Sequence, residues 1–165
     1  MKGAALFLLL FSSSLLIAAE PQTKCCADLE FLLGKWEASG SGQIGSSSGV
    51  MTFASDLQGQ VIIRRNESQS KNGTHNDLMI IYKDSAGVIH GDFFDSEGHV
   101  IPYTVTVSEN PQGAVFLHPG SNSEPGFRFT DTLKADGNLD LLFEIAPPGS
   151  SEFRTYLKGT AHRTS

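Results

Sequence analysis

The feature that most constrains the fold is a succession of short strand-like segments separated only by short turns. Asp84-Ser85-Ala86-Gly87, Asp95-Ser96-Glu97-Gly98 and Ala135-Asp136-Gly137-Asn138 each place a glycine where a hairpin loop needs a positive φ. Strands joined by such loops pair antiparallel, because parallel pairing requires a long crossover. We therefore predict an all-β antiparallel meander with strands near 35–46, 49–57, 60–69, 75–83, 88–95, 99–108, 113–118, 126–134, 139–146 and 152–163.

Closure of this meander is predicted because an open sheet would leave two unpaired edges. The expected fold is an up-and-down barrel of about ten strands, with a two-sheet sandwich as the alternative. A barrel of this size has room for one small ligand. The apolar segment 28–33, ended by Gly34, is predicted to form a short helical plug on the barrel. The glycine- and serine-rich segment 45–49 is predicted to be a turn.

The first residues have the pattern of a secretory signal peptide. Lys2 precedes an apolar run, and Ala18-Ala19 supplies the small residues of a cleavage site. The run is shorter than the roughly 20 residues that span a bilayer. We predict a signal peptide at 1–19, an N-terminal segment at 20–27 and a barrel domain at 28–165, in a secreted or periplasmic protein.

The net charge and the two cysteines limit which partners and which covalent bonds are expected. The formal net charge of −6 argues against nucleic acid and anionic lipid as partners. A small molecule is the expected partner, and no membrane span is expected in the mature chain. The adjacent Cys25 and Cys26 can form a strained vicinal disulfide, pair between chains or stay free. Asn66 and Asn72 begin glycosylation tripeptides that apply in a eukaryotic cell.

The start of the barrel domain carries a recognisable pattern. Gly34-Lys35-Trp36, followed by Gly40 and Gly42, resembles the opening of the lipocalin-like calycin barrels, and among named families it is most similar to nitrobindin. The segments 93–98 and 143–149 resemble an uncharacterised secreted lipocalin-like family more closely. Independently of any family, Trp36 is the only tryptophan and is predicted to anchor the core. Gly34, Gly40 and Gly42 are predicted to have structural roles in the turn and bends of this first strand.

The resemblance to nitrobindin implies a haem cofactor held by a histidine on the last strand. The matching position in this sequence is Tyr156. Tyrosinate can ligate ferric iron, so a haem-binding sensor or enzyme acting on reactive nitrogen or oxygen species remains an alternative function.

Candidate ligand-binding residues lie on the last strand and on the eighth. Arg154 and Tyr156 resemble the Arg-x-Tyr pair with which fatty-acid-binding barrels hold a carboxylate. Residues two apart on a strand share a face and can donate to one anionic group. Arg128 is predicted to join them. The opposite orientation, with Arg154, Tyr156 and Lys158 facing outward, stays open.

The expected function is binding rather than catalysis. The sequence lacks the nucleophile-elbow, zinc-protease and phosphate-loop patterns, so no catalytic or metal-binding residue is predicted. We expect a secreted lipocalin-like barrel that binds a small apolar or amphipathic molecule in its interior. Besides the haem protein, the other alternative is a barrel with a filled core that acts through its surface as an interaction protein.

Overall fold

The computed structural model describes residues 26–164. The predicted signal peptide 1–19, Cys25 and most of the predicted segment 20–27 lie outside the described residues. Within this range the chain forms two short 3-10 helices, Ala27–Leu32 and Leu57–Gly59, and ten strands. The strand bounds are Gly34–Gly42 (β1), Gly45–Asp56 (β2), Val61–Ser70 (β3), Gly73–Lys83 (β4), Ile89–Asp95 (β5), Val100–Glu109 (β6), Gln112–His118 (β7), Gly126–Leu133 (β8), Leu139–Ala146 (β9) and Arg154–Thr164 (β10). None of the helices in this range is both long and apolar enough to cross a bilayer.

The strands form one closed barrel in which each strand pairs antiparallel with its neighbours along the chain. Closure is made by β1 and β10, which pair from Lys35 with Thr164 to Gly42 with Leu157. The prediction of an all-β, closed, ten-stranded antiparallel barrel is confirmed, and the sandwich alternative is wrong. Short loops explain this strand order, because two strands joined by a short loop can pair only as antiparallel neighbours.

The helical plug expected before β1 is not present in the described chain. A single six-residue 3-10 helix, Ala27–Leu32, stands in its place. Six residues are too few to sustain an α-helix, so tertiary burial decides the local conformation. Leu29 and Leu32 of this helix are fully buried in the same apolar cluster as Trp36.

The turn predicted at 45–49 is wrong, because this segment is the start of β2. The chain reverses at 43–44, where Gly45 follows with a φ of +83°. Ser47 pairs with Ser70 of β3, so the serine-rich segment is regular strand. A Cβ on Gly49 would lie 2.4 Å from the carbonyl oxygen of Glu67. Glycine at position 49 therefore permits close strand contact and does not mark a turn.

Trp36 closes the end of the barrel that carries the helix Ala27–Leu32, and we call this end the floor. The indole is fully buried, and its Nε1 donates a hydrogen bond to the carbonyl oxygen of Leu32 at 2.7 Å. The guanidinium carbon of Arg163 lies 4.2 Å from the centre of the ring. Arg163 also donates to the carbonyl oxygen of Phe31 at 2.8 Å. These contacts tie β1, β10 and the helix to one another.

Replacing Trp36 by phenylalanine is expected to lower the free energy of unfolding by about 1–2 kcal/mol. The change leaves the buried carbonyl of Leu32 without its donor and removes part of the apolar contact. Urea denaturation measures the loss, and Phe94→Leu, at an exposed aromatic on the outer face, is the control. Equal stability of Trp36→Phe and the wild type would show that the indole hydrogen bond contributes nothing.

The seam between β1 and β10 is built from glycine. A Cβ on Gly40 would lie 2.6 Å from the carbonyl oxygen of Lys158, and one on Gly42 would lie 2.0 Å from that of Tyr156. Gly40 also pairs directly with Gly159. The two strands approach so closely here that a side chain on β1 would displace the backbone of β10.

Candidate functional site

The barrel interior is tightly packed at the floor. Side chains alternate between the two faces of each strand, so every second residue points inward. The inward residues nearest the floor include five apolar side chains that are at most 3% exposed: Trp36, Phe53, Ile62, Ile81 and Leu139. This end of the interior is therefore a packed apolar core.

The opposite end, which carries the loops 43–44, 71–72, 96–99, 119–125 and 147–153, we call the mouth. Inward-facing aromatic side chains below it remain partly exposed: Phe127, Phe129 and Phe143. The rings of Phe129 and Phe143 stack at 4.3 Å, and those of Phe127 and Phe143 lie 6.2 Å apart. We call these three residues the aromatic wall. Partial exposure of inward-facing rings indicates accessible space inside this half of the barrel.

Arg64 of β3 is a buried cation in the middle of the interior, 9% exposed. Its Nη1 donates to Oδ1 of Asp77 on the neighbouring strand β4. Its Nη2 lies 3.7 Å from the sulfur of Met51, and its guanidinium carbon lies 5.8 Å from the ring centre of Phe129. Because Phe129 belongs to β8, the arginine side chain extends across the barrel and joins its two sides.

Asp77 is held ionised by its neighbours. Burial alone would raise the pKa of Asp77, but the Arg64 guanidinium, with hydrogen bonds from His75 and Asn66, outweighs burial and holds the pKa below its usual value. Asn66 Nδ2 donates to Oδ2 of Asp77 at 2.8 Å. The hydrogen bond to Asp77 in turn raises the pKa of His75, against an opposing effect of burial. At neutral pH, Arg64 and Asp77 are thus a complete ion pair.

The two predicted glycosylation acceptors occupy different surroundings. Asn66 lies on the inward face of β3 beside Asp77, whereas Asn72 is exposed in the turn between β3 and β4. A glycan requires a surface acceptor, so only Asn72 is placed to carry one.

Two further polar groups of the interior lack partners. Asp131 of β8 and Tyr103 of β6 are 8% and 2% exposed, and within residues 26–164 neither side chain has a hydrogen-bond or ion-pair partner. In the same range, every side-chain nitrogen or oxygen that is sealed from solvent does have a partner. The oxygens of Asp131 and Tyr103 must therefore touch space that a water molecule can enter.

The environment of these two groups favours their neutral forms. Burial raises the pKa of Asp131 to about 6, and the nearby Arg64 guanidinium opposes part of this increase. Burial also raises the pKa of the Tyr103 hydroxyl, again with Arg64 acting in the opposite direction. The rings of Tyr103 and Phe129 lie 5.6 Å apart, and Asp131 shares the inward face of β8 with Phe129. Arg64, Tyr103, Asp131 and the aromatic wall therefore border one region, which we call the interior site.

An open cleft of about 740 Å³ lies on the β1–β4 side of the barrel. Its lining includes Asn66 and Asp77 but none of the aromatic wall.

The structure places two of the sequence-predicted ligand residues at the mouth. Arg154 pairs with the inward-facing Ile145 of β9, but its side chain is 75% exposed and lies 3.7 Å from Glu152. Tyr156 occupies an irregularity in the β9–β10 ladder, and its ring meets the edge of Phe143 at 5.6 Å. The two residues border the entrance and do not converge on a common point in the interior.

Arg128, the third predicted ligand residue, lies on the outer face of β8. Its neighbours Phe127 and Phe129 point inward, so alternation turns Arg128 outward. Its Nε donates to Oε2 of Glu144 at 2.6 Å, and its guanidinium carbon lies 4.4 Å from the ring centre of Phe153. The buried cation of the interior is Arg64 instead.

Comparisons with known proteins assign this chain to no family. No protein-family model matches the chain, and no curated protein matches it. Among solved structures, a de novo designed fluorescence-activating β-barrel is 13% identical with a TM-score of 0.45, over 81% of this chain and 94% of that one. A structure of EF1p2_mFAP2b bound to DFHBI is 10% identical with a TM-score of 0.47, over 83% of this chain and 97% of that one. Likenesses of this size show neither a family nor a function for this chain.

The residues around Tyr156 do not fit a haem site. A tyrosinate ligand needs a cation or hydrogen-bond donor that favours the ionised phenol. In the described chain, the hydroxyl of Tyr156 has no such neighbour, and the ring contacts the edge of Phe143. Tyr156 is therefore not placed to hold a haem iron.

A cluster of possible metal ligands occurs at the mouth, in the turn between β5 and β6. It consists of Asp95, Glu97 and His99, whose ligand atoms lie within 4.8 Å of one another. The Asp95 carboxylate accepts backbone hydrogen bonds from Glu97 and His99 at 2.9 Å each, and one from His99 Nδ1 at 2.7 Å. These bonds stabilise the turn and account for the grouping.

Sequence analysis missed Arg64, Tyr103 and Asp131. The signal that identifies them is alternation with apolar residues, as in Ile62-x-Arg64 and Phe129-x-Asp131, which places each charge on the inward face of its strand.

Proposed function

We propose that this protein binds one small amphipathic molecule inside its barrel, on the mouth side of the packed floor. The observation that carries the proposal is the pair of buried, unpartnered oxygens on Asp131 and Tyr103 beside a partly exposed aromatic wall. Buried polar groups in a finished core are normally satisfied, whereas ligand sites combine apolar walls with a few convergent polar groups. The packed floor leaves the ligand the part of the interior between Asp131 and the mouth.

We further propose that it is a secreted or periplasmic barrel of the lipocalin-like calycin type, with nitrobindin the most similar named family. The Gly34-Lys35-Trp36 opening, the closed ten-stranded meander and the signal-like sequence at 1–19 support this assignment. The net charge of −6 supports a small molecule, and not nucleic acid, as the partner. In this proposal Tyr156 borders the entrance, with Arg154 at its rim.

Titration with the uncharged dye Nile red tests interior binding. We expect one dye per chain, with a blue-shifted emission because the aromatic wall excludes water around the dye. Leu157, inward-facing on β10, pairs with Gly42 at the mouth. Leu157→Trp fills this space and is expected to weaken dye binding by about tenfold or more.

Phe94→Ala is the matched control, because Phe94 and its neighbour Val100 form an exposed apolar pair on the outer face. Unchanged binding in Leu157→Trp together with lost binding in Phe94→Ala would place the dye outside the barrel. Such a result would favour the filled-core protein that acts through its surface.

A further inference from the structure

We infer that the interior site selects an organic cation, a protonated amine on an apolar or aromatic body, whose ammonium group lies against Asp131. This inference rests on the proposed function and specifies its ligand class. The structure supports it through the charges of the interior site, the contacts of Arg64 and the position of the aromatic rings.

The charges of the interior site, counted together with Asp77 beside it, do not balance without a ligand. Arg64 contributes one positive charge, and Asp77 and Asp131 contribute two carboxylates. The Arg64 guanidinium is already joined to Asp77 by a direct ion pair, so Asp131 has no cation of its own within bonding distance in the described chain. A buried carboxylate without a partner is costly, and a bound ammonium group removes that cost.

Arg64 is not available to bind the carboxylate of an anionic ligand. One end of its guanidinium donates to Asp77, the other lies 3.7 Å from the Met51 sulfur, and its central carbon lies over the Phe129 ring, 5.8 Å from the ring centre. An anionic ligand placed beside Arg64 would be repelled by Asp77, which is bonded to the guanidinium, and by Asp131, whose charge interacts with it. Repulsion between like charges in a low-dielectric interior therefore excludes carboxylate ligands from this position.

The rings around Asp131 suit a cation as well as an apolar body. The rings of Tyr103 and Phe129 lie 5.6 Å apart, and the Phe143 ring stacks on that of Phe129 at 4.3 Å. Aromatic faces attract ammonium groups, most strongly when water is excluded. The free hydroxyl of Tyr103 supplies an acceptor for a second N–H of the same group.

Three matched probes test the inference: phenethylamine, phenethyl alcohol and hydrocinnamate, which carry a positive, neutral and negative group on similar bodies. Calorimetric titration at about pH 7.5 is expected to show phenethylamine binding at least about tenfold more tightly than hydrocinnamate. Asp131→Asn is expected to weaken phenethylamine about tenfold and to change phenethyl alcohol by less than about twofold.

Asp140→Asn is the matched control, because Asp140 is an exposed carboxylate on β9 that pairs with Lys134 outside the barrel. It should leave all three affinities unchanged. Hydrocinnamate binding as tightly as phenethylamine, or equal losses for all probes in Asp131→Asn, would overturn the inference. Nile red binding without any amine binding would overturn it while the proposed function stands, and failure of dye and probes together would overturn both.

Discussion

Replacing Asp77 by asparagine is expected to lower the free energy of unfolding by about 3–5 kcal/mol, because it leaves the Arg64 guanidinium buried without its carboxylate. The Asp77 side chain is 4% exposed and that of Arg64 is 11% exposed, so water cannot replace the lost partner. Asn66 and His75, which also contact this carboxylate, lose a charged acceptor in the same variant. Guanidinium chloride denaturation at about neutral pH measures the loss.

The pH dependence of this effect follows from the lowered pKa of Asp77. A lowered pKa means that the stabilisation is present above the unfolded-state value of 3.8 and is lost as the pH falls through the lower folded-state value. The difference between the wild type and Asp77→Asn should therefore shrink in strong acid. Asp140→Asn, which removes an exposed pair with Lys134, should cost less than about 1 kcal/mol. A loss of that same small size for Asp77→Asn would contradict a buried ion pair.

Asp131→Asn is expected to have the opposite effect and to stabilise the unliganded protein by about 2–3 kcal/mol at neutral pH. Burial raises the pKa of this carboxyl from 3.8 to about 6, and each unit corresponds to about 1.4 kcal/mol. An acid whose pKa is raised in the folded state opposes folding once it ionises. Arg64 is the charged group that acts on Asp131, and its attraction is too weak to reverse the effect of burial.

The stability gained in Asp131→Asn should depend on pH. It should be absent below about pH 4, grow between about pH 4 and 6, and be complete above about pH 6, because the carboxyl of Asp131 stays protonated to a higher pH in the folded state than in the unfolded state. Denaturation of both proteins across this range gives the difference directly, with Asp140→Asn as the exposed-acid control. Parallel stability curves for the wild type and Asp131→Asn would show that Asp131 has an ordinary pKa and an adequate partner.

Most of the fold could be predicted from the sequence because its signals are local. Glycines such as Gly87, Gly98 and Gly137, all with positive φ, marked hairpin loops, and short loops dictate antiparallel neighbours. The turn predicted at 45–49 was wrong because a glycine such as Gly49 is compatible both with a turn and with a close contact between strands. The close contact depends on Glu67 of another strand, which no local pattern reports.

The interior site was harder to predict because its members come from opposite sides of the barrel. Alternation places Arg64 and Asp131 inward on their own strands, but their proximity depends on the tilt and stagger of the closed barrel. The spacing of Arg154 and Tyr156, two residues apart, predicts a shared strand face but gives no information about side-chain exposure. Only the arrangement of all ten strands shows that Arg154 and Tyr156 lie at the mouth and that Arg64 and Asp131 lie in the interior.

The glycine seam has a consequence for biosynthesis. Pairs such as Trp36 with Arg163 join residues at opposite ends of the described chain, so this ladder has the greatest sequence separation in the barrel. During translation β1 must remain an unprotected edge until Arg154–Thr164 has emerged from the ribosome. A nascent or truncated chain that ends before β10 would expose both β1 and β9 to pairing with other molecules, which makes complete synthesis of the last strand the step that protects this protein from aggregation.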